Sequence, residues 1–255
     1  MTVKTIYDDL QDIHGWCKYN PIEIQYLKYP TNVIFSAIKL NDIYAALCIA
    51  RANLHYLSNQ NFGDYAGNEL AITFLKTLHI QYSLIYYNIA VDYSWQLLWL
   101  YYDISLKDEI PTTDLYEFCT KSCTYEELLL GLTLRQDIKM RDGIVKHFFG
   151  KNQSYQRIRP LYNYLKHRGT YYFEGLGQNE NKMMLEFFSG NINNPLPLIT
   201  RKELNVQETK ELLAEFDKAF VDYLSQLIYL IIPEAFENRN IPIAELLECL
   251  QKYQQ

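Results

Sequence analysis

Between Thr77 and Tyr102 the chain carries one formally charged side chain, Asp92, and neither Gly nor Pro. This run lies inside a helical pattern from about Asn68 to Ile104, and two placements suit it. A membrane span needs about 20 apolar residues and fits by length. Against that, Gln81, Ser83, Asn88, Asp92, Ser94 and Gln96 put polar groups on nearly every turn. Mean hydropathy over the chain is −0.22. The run is therefore expected to be the central buried helix of an all-α bundle, with no membrane partner. Asn88 and Asp92 form a polar stripe on it. Buried polar groups need partners, and an unpaired carboxylate is costly. An arginine from the basic part of the chain is the expected structural partner of Asp92; solvent exposure of that face is the alternative.

The other segments read as helices of varied length. Residues 2–13 predict a short amphipathic helix, and Pro21 opens another through about Lys28, ended by Pro30. Asn32 to about Asn59 predicts the first long helix, where Ala45, Ala46, Ala50 and Ala52 permit close packing. Pro111-Thr112-Thr113 opens a short helix through about Lys121. Thr124-Tyr-Glu-Glu127 is a capping box starting a leucine-rich helix that is expected to break near Asp142-Gly143. Pro160 either begins the next helix, with Arg159 at the cap, or kinks it. Runs at 170–174 and 183–188 are β-capable and suggest one small β-hairpin over 170–188. Asn205-Val-Gln-Glu208 caps a last long helix to Ile232, and a short one spans 242–253. The expected architecture is a single helical domain, 1–255. Three to four long helices make its core bundle, about 32–232, with short accessory helices around it.

Five cysteines, Cys17, Cys48, Cys119, Cys123 and Cys249, are scattered, and no histidine completes a metal site around them. They read as buried thiols of a reducing cytoplasm, with no metal and no cofactor expected. The N-terminal run Met-Thr-Val-Lys-Thr-Ile-Tyr-Asp-Asp predicts no signal peptide. The 23 tyrosines suit helix seams, where an apolar ring and a polar tip are both satisfied.

Net charge is −6, which by itself disfavours a nucleic-acid partner, yet the distribution argues otherwise. Residues 134–168 hold nine of the 24 basic residues and two of the 30 acids, a local charge of +7 on a remainder of −13. A concentrated basic region on an acidic body is an electrostatic footprint for phosphate. Internal docking against acidic helices is the alternative.

Within that window, Arg157 to Gly169 joins guanidinium, amide and imidazole groups on one short helix. At about 100° per residue, Arg159, Asn163 and His167 fall on one face, at roughly 0°, 40° and 80°. Leu161, Tyr162 and Leu165 face elsewhere and anchor the helix. Arg157, Lys166 and Arg168 add positive charge, and a helix C-terminus welcomes such charge for stability alone.

No Walker loop, nucleophile elbow or His-Glu-x-x-His pattern occurs. The run Asn163-Tyr-Leu-Lys-His-Arg-Gly169, set between long helices, resembles the HEPN superfamily of small, often dimeric helical bundles. The marker of that family is Arg, a polar residue, and His after about four to six intervening residues. Its active members are metal-independent ribonucleases, and others bind nucleic acids or nucleotides. Here Arg159 and His167 have seven residues between them, and Pro160 stands in the polar position. An alternate pair, Arg141 and His147, has Asp142 after the arginine and five intervening residues.

The resemblance implies that His167 takes the proton of the RNA 2′-hydroxyl or protonates the leaving oxygen. Arg159 would stabilise the phosphoryl charge, Asn163 would orient, and Arg157, Lys166 and Arg168 would hold the backbone. Three functions follow as expectations. One is non-catalytic binding of RNA or another phosphorylated ligand, such as a nucleotide. The others are ribonuclease activity and a helical scaffold whose basic segment is paired internally. A homodimer suits all three.

Overall fold

The computed structural model describes residues 19–58, 62–121, 123–177, 179, 182–183, 196–197, 200–237, 240 and 242–253. The expected helix at 2–13 lies outside them. Two helices make the spine: α2, Thr31–Tyr56, and α3, Glu69–Tyr102, which follow the short α1, Glu23–Lys28. They run antiparallel along their whole length, and small polar side chains cross the seam. Asn32 Nδ2 donates to the Tyr101 carbonyl at 2.8 Å, and Ser83 Oγ to the Ala50 carbonyl at 3.0 Å. Buried Ala37, Ala46, Ala50 and Ala90 let the backbones approach. By length and composition α2 is apolar enough to cross a membrane, but here it packs as a core helix, its apolar window mostly buried.

Caps set the helix starts. Asn68 accepts from the Ala71 N–H to begin α3, and Thr112 from Leu115 N–H to begin α4, Thr113–Thr120. Thr124 and Glu127 close the capping box of α5, Tyr125–Leu134. Gln136, at φ 59, then turns the chain. The break therefore falls before Asp137, not at Asp142-Gly143. Those two residues sit inside a π-helical stretch, Lys139–Val145, that feeds α6, Lys146–Lys151.

Of the two placements expected for Pro160, first residue or interior, the structure takes the interior one. The helix is α7, Gln153–His167, capped by Asn152, whose side chain accepts from the Tyr155 N–H, so Pro160 lies in its interior. A proline there withholds the hydrogen bond owed to the Gln156 carbonyl, while Ile158, fully buried, holds the helix against the core. Gly169 ends it at φ 115, a left-handed turn that glycine adopts without a Cβ clash. The last long helix, α8, Val206–Ile231, is capped by Asn205 and followed by α9, Ile243–Tyr253.

The strand pairing differs from the expected hairpin. Tyr172 bridges to Glu203 in parallel, and β1, Lys182–Met183, pairs antiparallel with β2, Leu196–Pro197. Residues 184–188 lie outside the described residues. The buried apolar side chains from Tyr19 to Phe236 form one cluster, so the fold is an all-α bundle with three helices of 26, 34 and 26 residues at its centre.

Candidate functional site

The site grows from the seam between α3 and α7. Asn88, fully buried, gives its amide N–H to the Leu84 carbonyl at 2.9 Å and keeps its oxygen for another donor. One turn on, Asp92 reaches the edge of the seam. Arg159 meets both: its Nη1 donates to Asp92 Oδ1 at 2.9 Å and to Asn88 Oδ1 at 3.3 Å. The guanidinium carbon also lies 5.2 Å from the Trp95 ring centroid and 5.3 Å from that of Tyr162. Such cation–π contacts fix the plane of the group. Lys166 Nζ lies over the other part of the same seam, 5.9 Å from the Tyr162 centroid.

Electrostatics at this point are mixed. Burial pushes the Asp92 carboxyl up from its usual value, and the Arg159 guanidinium and Lys166 ammonium pull it partly back. Burial also raises the Tyr155 phenol to about 12. Tyr162 is raised by burial and by the Asp92 charge.

The ordered face of α7 is therefore Arg159, Tyr162 and Lys166, at spacings of three and four, rather than Arg159, Asn163 and His167. Asn163 and His167 are exposed, and among the described residues neither makes a hydrogen bond or ion pair. Eight steps of α-helix separate Arg159 from His167 by roughly 12 Å along the axis, and Arg159 leans away into the seam. Tyr162, expected to anchor elsewhere, is part of the site, and Trp95 joins it from α3. The Arg159-x-x-Tyr162-x-x-x-Lys166 spacing was the signal for that face; nothing local marks Trp95.

The alternate pair is also split. Arg141 Nε donates to Asp142 Oδ1 at 2.9 Å and its Nη1 to Thr133 Oγ1 at 3.0 Å. Asp142 further pairs with Lys146 at 3.2 Å. His147 instead lines a groove against α8 to which Arg141 does not contribute.

The wider basic segment is mostly unpaired. Of its nine cations, Arg141, Lys146 and Arg159 have carboxylate partners. Arg135, Lys139, Lys151, Arg157, Lys166 and Arg168 are exposed and have no ion pair among the described residues. The second acid of the window, Asp137, is occupied by the Tyr102 hydroxyl at 2.6 Å and the Met140 N–H at 2.9 Å. No group of three or more metal-ligating side chains occurs among the described residues. Compared with protein-family models, with curated proteins and with solved structures, the chain matches none.

Proposed function

We propose that this chain is a HEPN-like, non-catalytic helical protein that binds RNA through the outer face of α7. The observation that carries the reading is the set of six exposed cations with no ion pair among the described residues, of which Arg157, Lys166 and Arg168 lie on or directly after α7. An internally paired scaffold would bring acidic helices to this segment, and among the described residues only Arg159 forms an ion pair of that kind, with Asp92. A phosphate chain neutralises several such cations at once and releases counterions. Arg159 adds a fixed point: its Nη1 is held by Asp92 and Asn88, while Nε and Nη2 make no hydrogen bond among the described residues. The half-buried Tyr162 ring beside it suits base stacking.

The separation of Arg159 from His167 favours binding over cleavage, because one phosphate does not meet both side chains. A cytoplasmic location and a homodimer belong to the same proposal.

The test is fluorescence anisotropy of a labelled, unstructured RNA oligonucleotide across a salt series, with EDTA present. Affinity should fall steeply as salt rises, and the RNA should remain intact with both the wild type and His167→Ala. Salt-insensitive or absent binding would sink the RNA reading. Cleavage lost only in His167→Ala would replace it with the ribonuclease reading.

A further inference from the structure

His147 belongs to no phosphate-binding face, yet it lines a surface groove. The groove, about 310 Å³, lies between the π-helical stretch with α6 on one side and α8 on the other. A volume of this size is at the small end of ligand pockets. Its first wall presents His147 and Lys151, one helical turn apart; its second presents Asp222 and Gln226, again one turn apart. The floor is aromatic: Phe148 stacks on Tyr223 with centroids 4.4 Å apart and ring planes 16° from parallel.

Two features mark the first wall of the groove. Gly143 faces it without a side chain, and a Cβ built there meets no heavy atom within 4 Å. The stretch around Gly143 is π-helical, a wide turn that recurs at functional positions. No ion pair joins the two walls among the described residues, since Asp142 takes Arg141 and Lys146 while Lys151 and Asp222 have no partner.

We propose that this groove binds a small zwitterion of the α-amino-acid class. The ligand carboxylate would meet Lys151 and His147, its ammonium would meet Asp222 and the Gln226 amide oxygen, and its side chain would lie over Phe148 and Tyr223. Charge decides the class. A phosphate or simple carboxylate would gain Lys151 but face Asp222, and a simple amine would gain Asp222 but face Lys151. A dipolar ligand satisfies both walls.

Lys151 is one of the six exposed cations, but no other groove residue enters the RNA reading, and the test is kept separate. Calorimetric titration of the full chain with a panel of free L-amino acids, up to about 10 mM, should find at least one that binds. Its decarboxylated amine and its deaminated acid should each bind about tenfold more weakly or worse, the worth of one charge-assisted hydrogen bond. Asp222→Asn should give a similar loss, and Gly143→Leu should abolish binding by filling the groove. Neither position lies on the outer face of α7, so RNA retention and thermal unfolding of both variants report on the fold alone. Absence of heat across the whole panel would overturn the proposal. So would an amine or acid analogue that binds as tightly as the zwitterion, or full binding by a folded Gly143→Leu.

Discussion

Among the described residues, two Arg–Asp pairs join helices, and they differ in burial and in how many bonds hold them. Arg51 on α2 grips Asp217 on α8 through two bonds, Nε to Oδ1 at 2.8 Å and Nη2 to Oδ2 at 3.1 Å. The Tyr87 hydroxyl of α3 donates to the same carboxylate at 2.9 Å. These side chains are 12% and 0% exposed. Arg159 and Asp92 share one strong bond, and their side chains are 24% and 33% exposed. In the core the carboxylate is saturated and the arginine committed, so the pair fixes three helices. At the edge the arginine is oriented but has donors to spare, so the pair positions a group for a ligand.

The largest expected effect breaks the core pair. Asp217→Ala leaves Arg51 and the Tyr87 hydroxyl without their shared acceptor, and such losses cost about 3–5 kcal/mol. Asp92→Ala should cost about 1 kcal/mol or less, since water reaches both partners. Urea unfolding of the two variants measures the difference. Equal costs would erase the distinction between a structural and a positioning pair.

Function should show the opposite ranking. Arg159→Ala should weaken RNA retention about tenfold, which corresponds to about 1.4 kcal/mol. Arg51→Ala should destabilise the bundle but leave RNA retention by the folded fraction unchanged. Asp92→Asn sharpens the contrast through its sign: it removes the countercharge from Arg159 and should raise RNA affinity. A decrease would mean that Asp92 orients Arg159 more than it competes for it. Smaller still, Lys166→Gln and Arg168→Gln should each lower the slope of log K against log salt by about 0.7 for a single strand. Each should change stability by less than about 0.5 kcal/mol. An unchanged slope in both would remove them from the phosphate path.

How much of this was legible depended on distance along the chain. Four helix starts were readable because caps act within three residues, as Asn68, Thr112, Thr124 and Asn205 do, whereas the Asn152 cap of α7 went unread. Asp92 stood out because no other charge surrounds it, which directed attention to the neighbouring basic segment. Asp217 gave no such signal. It sits among Glu215 and Lys218 like a surface acid, and its partner Arg51 is 166 residues away. On α7 a wheel at about 100° per residue grouped Arg159 with Asn163 and His167, and a wheel carries no information about contact with α3. Packing decided the face, through Trp95 and Tyr162 closing on Arg159. The π-helical stretch was hidden for a similar reason: Asp142-Gly143 has turn composition, and the Asp137 caps beside it redirect the chain instead.

A third polar contact on the α2–α3 seam carries no ion pair and yields the smallest expected effect. His79 Nδ1 lies 2.9 Å from Asn53 Oδ1, and its ring stacks between Tyr56, at 5.2 Å, and Phe62, at 6.1 Å. Burial lowers its basicity, so the folded chain resists a proton that the unfolded chain accepts near pH 6.5. In the window below that value the unfolded state binds more protons, and stability therefore rises with pH across it and is lost as pH falls. Urea midpoints at about pH 7.5 and about pH 5.5 should differ in the wild type and differ less in His79→Phe, which keeps the stacking and removes the titration. Parallel losses in the two proteins would assign the slope to other groups. A neutral contact between aromatic rings would then be as indifferent to protons as the buried Arg51–Asp217 pair is to solvent.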